Sequence, residues 1–137
     1  RHFGLGMSVW SPLAYGFLAG GYTAEDMEQD DNRFGKSDWL RFDRNKAFAL
    51  LPLLRNIAHG KGCSMAQLAI AWLLARDAVS TVLLGATKPH QLADNLGAAE
   101  IALTDDELAR LDAATSSAPL YPSSNWVESM LPGRKHK

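Results

Sequence analysis

The chain has 137 residues, 47% hydrophobic and 21% charged, with a net charge of −1. That is a globular composition with apolar material for one core, and the near-neutral balance gives no reason to expect a nucleic-acid partner. A single cysteine, Cys63, excludes an intramolecular disulfide and a cysteine-cluster metal site. No apolar run approaches the ~18 residues of a membrane span, and the N-terminus lacks a signal-peptide pattern, so no membrane association and a cytoplasmic location are expected. The sequence starts at Arg1 rather than methionine, which reads as a processed chain or a piece of a longer one.

Gly4 and Gly6 mark a turn into Met7-Ser8-Val9-Trp10, a short strand. Pro12 has no N–H for a ladder, so the strand should stop by about Ser11. The loop from Ser11 to Tyr22 gathers Gly16, Gly20, Gly21, Tyr15 and Tyr22. It reads either as a shaped loop over a ligand or as a packed surface loop. Residues 23–45 are polar. Their acidic run, Glu25, Asp26, Glu28, Asp30 and Asp31, reads as a solvated face rather than a metal site. The segment is longer than a usual connection, which makes it a candidate lid anchored by Trp39, Leu40 and Phe42.

From Asn45 to His59, Phe48, Leu51, Leu54, Ile57 and Ala58 recur at helical spacing. Pro52 predicts either a kink or a junction of two helices. Ser64 and Gln67 have capping-box spacing, at the head of a helix to Arg76 that is apolar on most faces. Such a helix belongs between two layers. Val79 to Leu84 reads as a strand buried on both faces. Gly85 then allows a sharp turn, Thr87 is a candidate helix cap, and Pro89 suits the first turn. The N–H groups and positive dipole end of that helix suit a phosphate. One glycine at a strand end is a weak signal, and an ordinary strand–loop–helix joint is the alternative. This helix ends near Leu96-Gly97. Thr104 and Glu107 give a second capping box for a helix to about Ala114. Strands alternating with helices point to a parallel α/β fold, but two strands are too few for a stable parallel sheet. The sequence calls for partner strands.

Trp10-Ser11-Pro12-Leu13-Ala14-Tyr15-Gly16 closes one strand; Leu84-Gly85-Ala86-Thr87 and Gln91-Leu92-Ala93-Asp94-Asn95 follow the next. With Ser64, Gln67-Leu68-Ala69 and Trp72-Leu73-Leu74 between them, these stretches resemble the C-terminal part of the aldo-keto reductase family. The likeness is closest to the branch holding potassium-channel β-subunits and related bacterial reductases. It covers about residues 1–115 as a cofactor-binding portion and leaves 116–137 as an irregular tail. The implied fold is α/β, the C-terminal portion of a (β/α)8 TIM barrel with about two of the eight strands, the seventh and eighth, in this chain. Loops after those strands commonly hold phosphate.

The resemblance implies NAD(P)H-dependent reduction of aldehydes or ketones by the intact protein, and a missing N-terminal barrel half as partner. NADP is the expected cofactor, with NAD as the alternative. Trp10 would stack on the nicotinamide, Ser11 and Leu13 would contact the pyrophosphate, Pro12 would shape the turn, and Gly16 would permit close approach. Gly85 and Thr87 would hold the adenosine phosphate region. Gln91, Asp94 and Asn95 would face the adenine and its ribose, and Arg33 would contact the cofactor. Gly21 stands where the family often has lysine, and Gln91 where many members have a basic residue. The family's catalytic Tyr, Lys, Asp and His come from earlier strands. No tyrosine or histidine here matches them, so no catalytic residue is assigned. The rival expectations are a non-catalytic, β-subunit-like regulatory module and an inactive truncated fragment.

Overall fold

The computed structural model describes residues 4–23, 25–26 and 43–116. Strands β1 (Met7–Val9) and β2 (Val79–Val82) pair in parallel, Met7 opposite Val79 and Val9 opposite Val82, with an irregularity between Met7 and Ser8. Between them run a 3₁₀ segment (Ala14–Ala19) and helices α1 (Arg44–Lys61) and α2 (Met65–Leu74). After β2 come α3 (Pro89–Leu96), a short 3₁₀ turn (Gly97–Glu100) and α4 (Asp105–Thr115).

Each longer helix starts on local polar chemistry. The Asp43 carboxylate accepts from the Lys46 N–H at 3.1 Å to cap α1, which ends at Gly62 in the left-handed conformation (φ 65°). Pro52 lies inside α1, on its exposed side, and the helix runs through it, so of the two alternatives the junction of two helices does not occur. At α2 the predicted capping box forms: Ser64 Oγ accepts from Gln67 N at 3.0 Å, and Gln67 Oε1 accepts from Ser64 N at 3.1 Å. Thr104 and Glu107 do the same for α4, at 3.3 and 2.8 Å.

Helix α2 is central. It packs against α1, α3, β2 and both 3₁₀ segments, which is why it is apolar on most sides. Its small residues Ala66, Ala69 and Ala71 are buried, and Leu68 is fully enclosed. The main core joins Leu68 to Leu51, Leu54 and Ile57 of α1, Leu111 of α4 and Phe17 of the first 3₁₀ segment. Phe17 meets Phe48 edge-on, with ring centroids 5.1 Å apart. Two polar clamps tie α4 down. Lys61 Nζ donates to Ala102 O and pairs with Glu107. The Arg76 guanidinium lies 4.5 Å from the centre of the Trp72 ring and donates to Asp112, which also accepts from Trp72 Nε1 at 2.9 Å.

The sheet departs from expectation. β2 ends at Val82 rather than Leu84, and it is not buried on both faces. Helix α2 packs against it, but among the described residues nothing covers the remainder of the pair. Leu5, Met7 and Leu83 are 79, 54 and 52% exposed. A two-stranded parallel pair has two open edges, and one helix layer shields one face. The proposed lid with Trp39, Leu40 and Phe42, and the tail from 117, lie outside the described residues.

Candidate functional site

Parallel strands end on the same side, so the loops leaving β1 and β2 emerge together. They and helix α3 bound a cavity of ≈ 1000 Å³. Trp10, Ser11, Pro12, Leu13 and Gly16 line it from the first loop, Gly85 and Thr87 from the second, and Gln91, Asp94 and Asn95 from α3. Residues far apart in sequence thus share one wall. Arg33 lies outside the described residues.

The first loop is held in an uncommon backbone conformation. Ser11, Ala14 and Tyr15 have φ of 53°, 47° and 57°, followed by Gly16 at 94°. Left-handed backbone at a non-glycine residue costs roughly 1–3 kcal/mol and persists only where the surroundings enforce it. Here Ala14 N bonds to Ser11 O at 3.0 Å and Gly16 N to Leu13 O at 2.9 Å, while Phe17 anchors the segment in the core. Local propensity alone would not choose this turn. Its strain is concentrated on the cavity wall.

The second loop corrects the expected helix cap. Lys88, not Thr87, is the residue at the cap position, with Pro89 following as expected. Gln91 Oε1 accepts from Thr87 N at 3.1 Å, Thr87 Oγ1 at 3.1 Å and Lys88 N at 3.2 Å. The amides that seemed open to a phosphate are therefore occupied by the carboxamide of the same helix. With Gln91 Oε1 consumed, its Nε2 remains to act as donor.

Asp94 and Asn95 take different roles. Asp94 Oδ2 accepts from Ser64 Oγ at 2.7 Å and its carbonyl accepts from Gln67 Nε2 at 2.9 Å, so it fastens α3 to the head of α2. Asn95 is 5% exposed and lines the cavity. Among the described residues nothing hydrogen-bonds to its carboxamide. A buried amide normally has partners, so an orphan facing a cavity marks a place where a ligand or water completes them.

The profile of the Aldo/keto reductase family matches residues 1–116. The chain belongs to the aldo/keto reductase family. A probable voltage-gated potassium channel subunit beta from Oryza sativa subsp. japonica is 36% identical over 124 residues, covering 85% of this chain and 37% of that protein. The crystal structure of a thermostable aldo-keto reductase in complex with the inhibitor epalrestat matches with a TM-score of 0.54 at 23% identity. It covers 81% of this chain and 30% of the solved one. That likeness shows the α/β fold alone. The chain thus spans well under half the length of these relatives.

In this aldo/keto reductase chain the cavity also includes residues to which the sequence assigns no site role: Tyr15, Ala19, Gly21, Tyr22, Ala66, Leu83, Leu84 and Ala86. The two tyrosines were visible as part of a Gly/Tyr-rich loop. Ala66 carried no signal, because a small residue in an apolar helix reads as packing. Burial pushes the Cys63 thiol up, which disfavours the reactive thiolate. Among the described residues no group of His, Cys, Asp and Glu is placed to hold a metal, and no helix is long and apolar enough to cross a membrane.

Proposed function

We propose that this chain is the C-terminal part of a (β/α)8 barrel, supplying its seventh and eighth strands, and that the intact protein reduces an aldehyde or ketone with a nicotinamide cofactor. The observation that carries the reading is the carboxamide of Asn95, which has no partner among the described residues and is buried in the wall of a ≈ 1000 Å³ cavity between two strand-end loops. That volume is at the large end for small-molecule sites, as a dinucleotide requires. The open flanks of β1 and β2 support the barrel assignment, since parallel strands are normally covered on both faces.

A bound nicotinamide cofactor supplies hydride. Trp10 offers a broad apolar ring beside the nicotinamide. The tight turn at Ser11 to Gly16 and the bare backbone at Gly85, both on the cavity wall, would hold the pyrophosphate. Asn95 provides both donor and acceptor to an adenine edge, and the Gln91 amide provides a donor. Because Gln91 already takes the Thr87 and Lys88 amides, phosphate contact falls mainly to the first loop. NADP is the cofactor proposed, with NAD as the alternative. Proton delivery to the carbonyl oxygen is left to residues upstream of this chain. The lone Cys63 fits a reducing compartment, and the proposed location is the cytoplasm.

A second reading is a nucleotide-binding regulatory module, favoured by the 36% identity to a probable channel β-subunit. One experiment separates the two. The protein expressed from its complete coding sequence is titrated with NADPH and NADH by fluorescence, then assayed for carbonyl-dependent cofactor oxidation. Binding with turnover supports the reductase. Binding without turnover over a panel of aldehydes and ketones supports the module, and no binding of either cofactor refutes both.

A further inference from the structure

We propose that Tyr15 is a positioning residue that holds Trp10 in the plane needed to stack on a flat ring, an inference that rests on the cofactor reading above. Trp10 is 65% exposed, an uncommon state for an indole, and nothing among the described residues hydrogen-bonds to its Nε1. Its ring meets that of Tyr15 at 87°, with centroids 6.3 Å apart. A perpendicular neighbour limits rotation of the indole and still leaves indole surface open to a ligand. Tyr15 makes this contact from a left-handed backbone (φ 57°, ψ 24°), where glycine or asparagine would be unstrained. The Tyr22 hydroxyl donates to the Tyr15 carbonyl at 3.4 Å, tying the turn to the far end of the loop. Trp10, Tyr15 and Tyr22 all line the cavity. The fold thus holds a bulky aromatic residue in an unfavourable conformation beside an indole that is 65% exposed.

The test compares two ligands in the protein expressed from its complete coding sequence. NADPH carries the nicotinamide that would lie on Trp10; 2′-phospho-ADP-ribose carries the remainder of the molecule and lacks it. Tyr15→Leu keeps bulk and removes the aromatic edge, and Tyr15→Phe keeps the ring. The expected result is that Tyr15→Leu weakens NADPH about three- to tenfold, the factor that an edge-to-face ring pair corresponds to. Affinity for 2′-phospho-ADP-ribose stays within about twofold, and Tyr15→Phe restores NADPH binding. Equal weakening of both ligands assigns Tyr15 to general loop structure and overturns the inference, as does an unchanged NADPH affinity in Tyr15→Leu. The underlying reading fails separately: if Trp10→Ala leaves NADPH affinity unchanged, the nicotinamide does not rest on Trp10 and the inference falls with it.

Discussion

Replacing Asn95 by leucine should raise stability and lower cofactor affinity in the same molecule. The side chain is 5% exposed, and among the described residues its carboxamide has no partner. An amide carries two donors and two acceptor lone pairs, and leaving such a group buried and unmade costs about 1–3 kcal/mol. The cavity is roomy enough to admit water, so the low end applies, about 1 kcal/mol. Leucine has the same branched shape, its bulkier methyl ends can project into the cavity, and it favours helix, so Asn95→Leu recovers that cost without opening a void. For a domain of this size the midpoint of thermal unfolding of the ligand-free protein rises by about 3–5 °C. Against the cofactor the sign reverses. On the proposed cofactor reading, losing two hydrogen bonds to an adenine edge would cost about 1–3 kcal/mol, or roughly five- to 150-fold in Kd. Scanning calorimetry without ligand and fluorescence titration with NADPH measure the two effects. A fall in melting temperature with unchanged affinity would mean that Asn95 is a core residue with hidden partners, and the site argument would collapse.

Other changes test the supports around the cavity. Ser64→Ala removes both the α2 cap and the donor to Asp94, and should cost about 2 kcal/mol in urea denaturation; Ser64→Thr should restore most of it, and a loss under ~0.5 kcal/mol would show that α3 docks without this bond. At Gly97 an added Cβ would stand 2.5 Å from Gln67 Nε2. Gly97→Ala should therefore displace the Gln67 amide from the Asp94 carbonyl and cost about 1 kcal/mol, whereas Gly60→Ala, with open space around it, should not destabilise. The Arg76 guanidinium, then the Trp72 N–H, hold the Asp112 carboxyl below its ordinary value. A depressed carboxyl stabilises the fold fully above its unfolded pKa of about 3.9 and loses that contribution as pH falls through the folded value. With 46% of the Asp112 side chain exposed, the pair is worth about 0.2–1 kcal/mol. Asp112→Asn should flatten the acid limb of the stability curve below about pH 4; an unchanged limb would show that the clamp contributes nothing.

Elements whose cause is local were legible in the sequence. The boxes Ser64–Gln67 and Thr104–Glu107 need only their own turns, and both form where the spacing put them. The apolar faces of α1 and α2 were legible for the same reason. The α3 cap was misread because Thr87 was weighed by residue type, while the decisive signal was Gln91 three residues beyond Lys88, reaching back over both amides. The 3₁₀ segment Ala14–Ala19 was not legible. Left-handed Ala14 and Tyr15 run against propensity and are enforced by Phe17 in a core built from α1, α2 and α4. Strand burial was overestimated because the apolar run at Val82 to Leu84 reports what would cover it, and among the described residues that cover is lacking. At the site, Gln91 and Asn95 were expected to share a face by their spacing. Both line the cavity, but one is spent on the helix end and the other has no partner among the described residues, a division that spacing does not encode.

That division explains where this chain gives up stability. Its helix starts are capped, its central helix is enclosed, and α4 is clamped by Lys61 and by Arg76. The unfavourable features lie around the cavity: three non-glycine residues with positive φ between 11 and 15, an indole left 65% exposed, and a buried carboxamide with no partner among the described residues. Each would be relieved by a common substitution, glycine at the turn, a polar residue at Trp10, leucine at Asn95. A surface that served packing alone would not concentrate such features on the two loops that leave neighbouring parallel strands. A ligand with a flat ring at one end and a hydrogen-bonding edge at the other would offset the last two, and would be held by the turn that the first creates. Leu5, Met7 and Leu83, in and beside the strand pair, are likewise exposed, and the further strands of the proposed barrel would cover them. A cavity with one strained wall and one wall whose carboxamide has no described partner, mounted on two strands with exposed apolar residues beside them, is what the proposed cofactor site would look like if further barrel strands supplied its remaining wall.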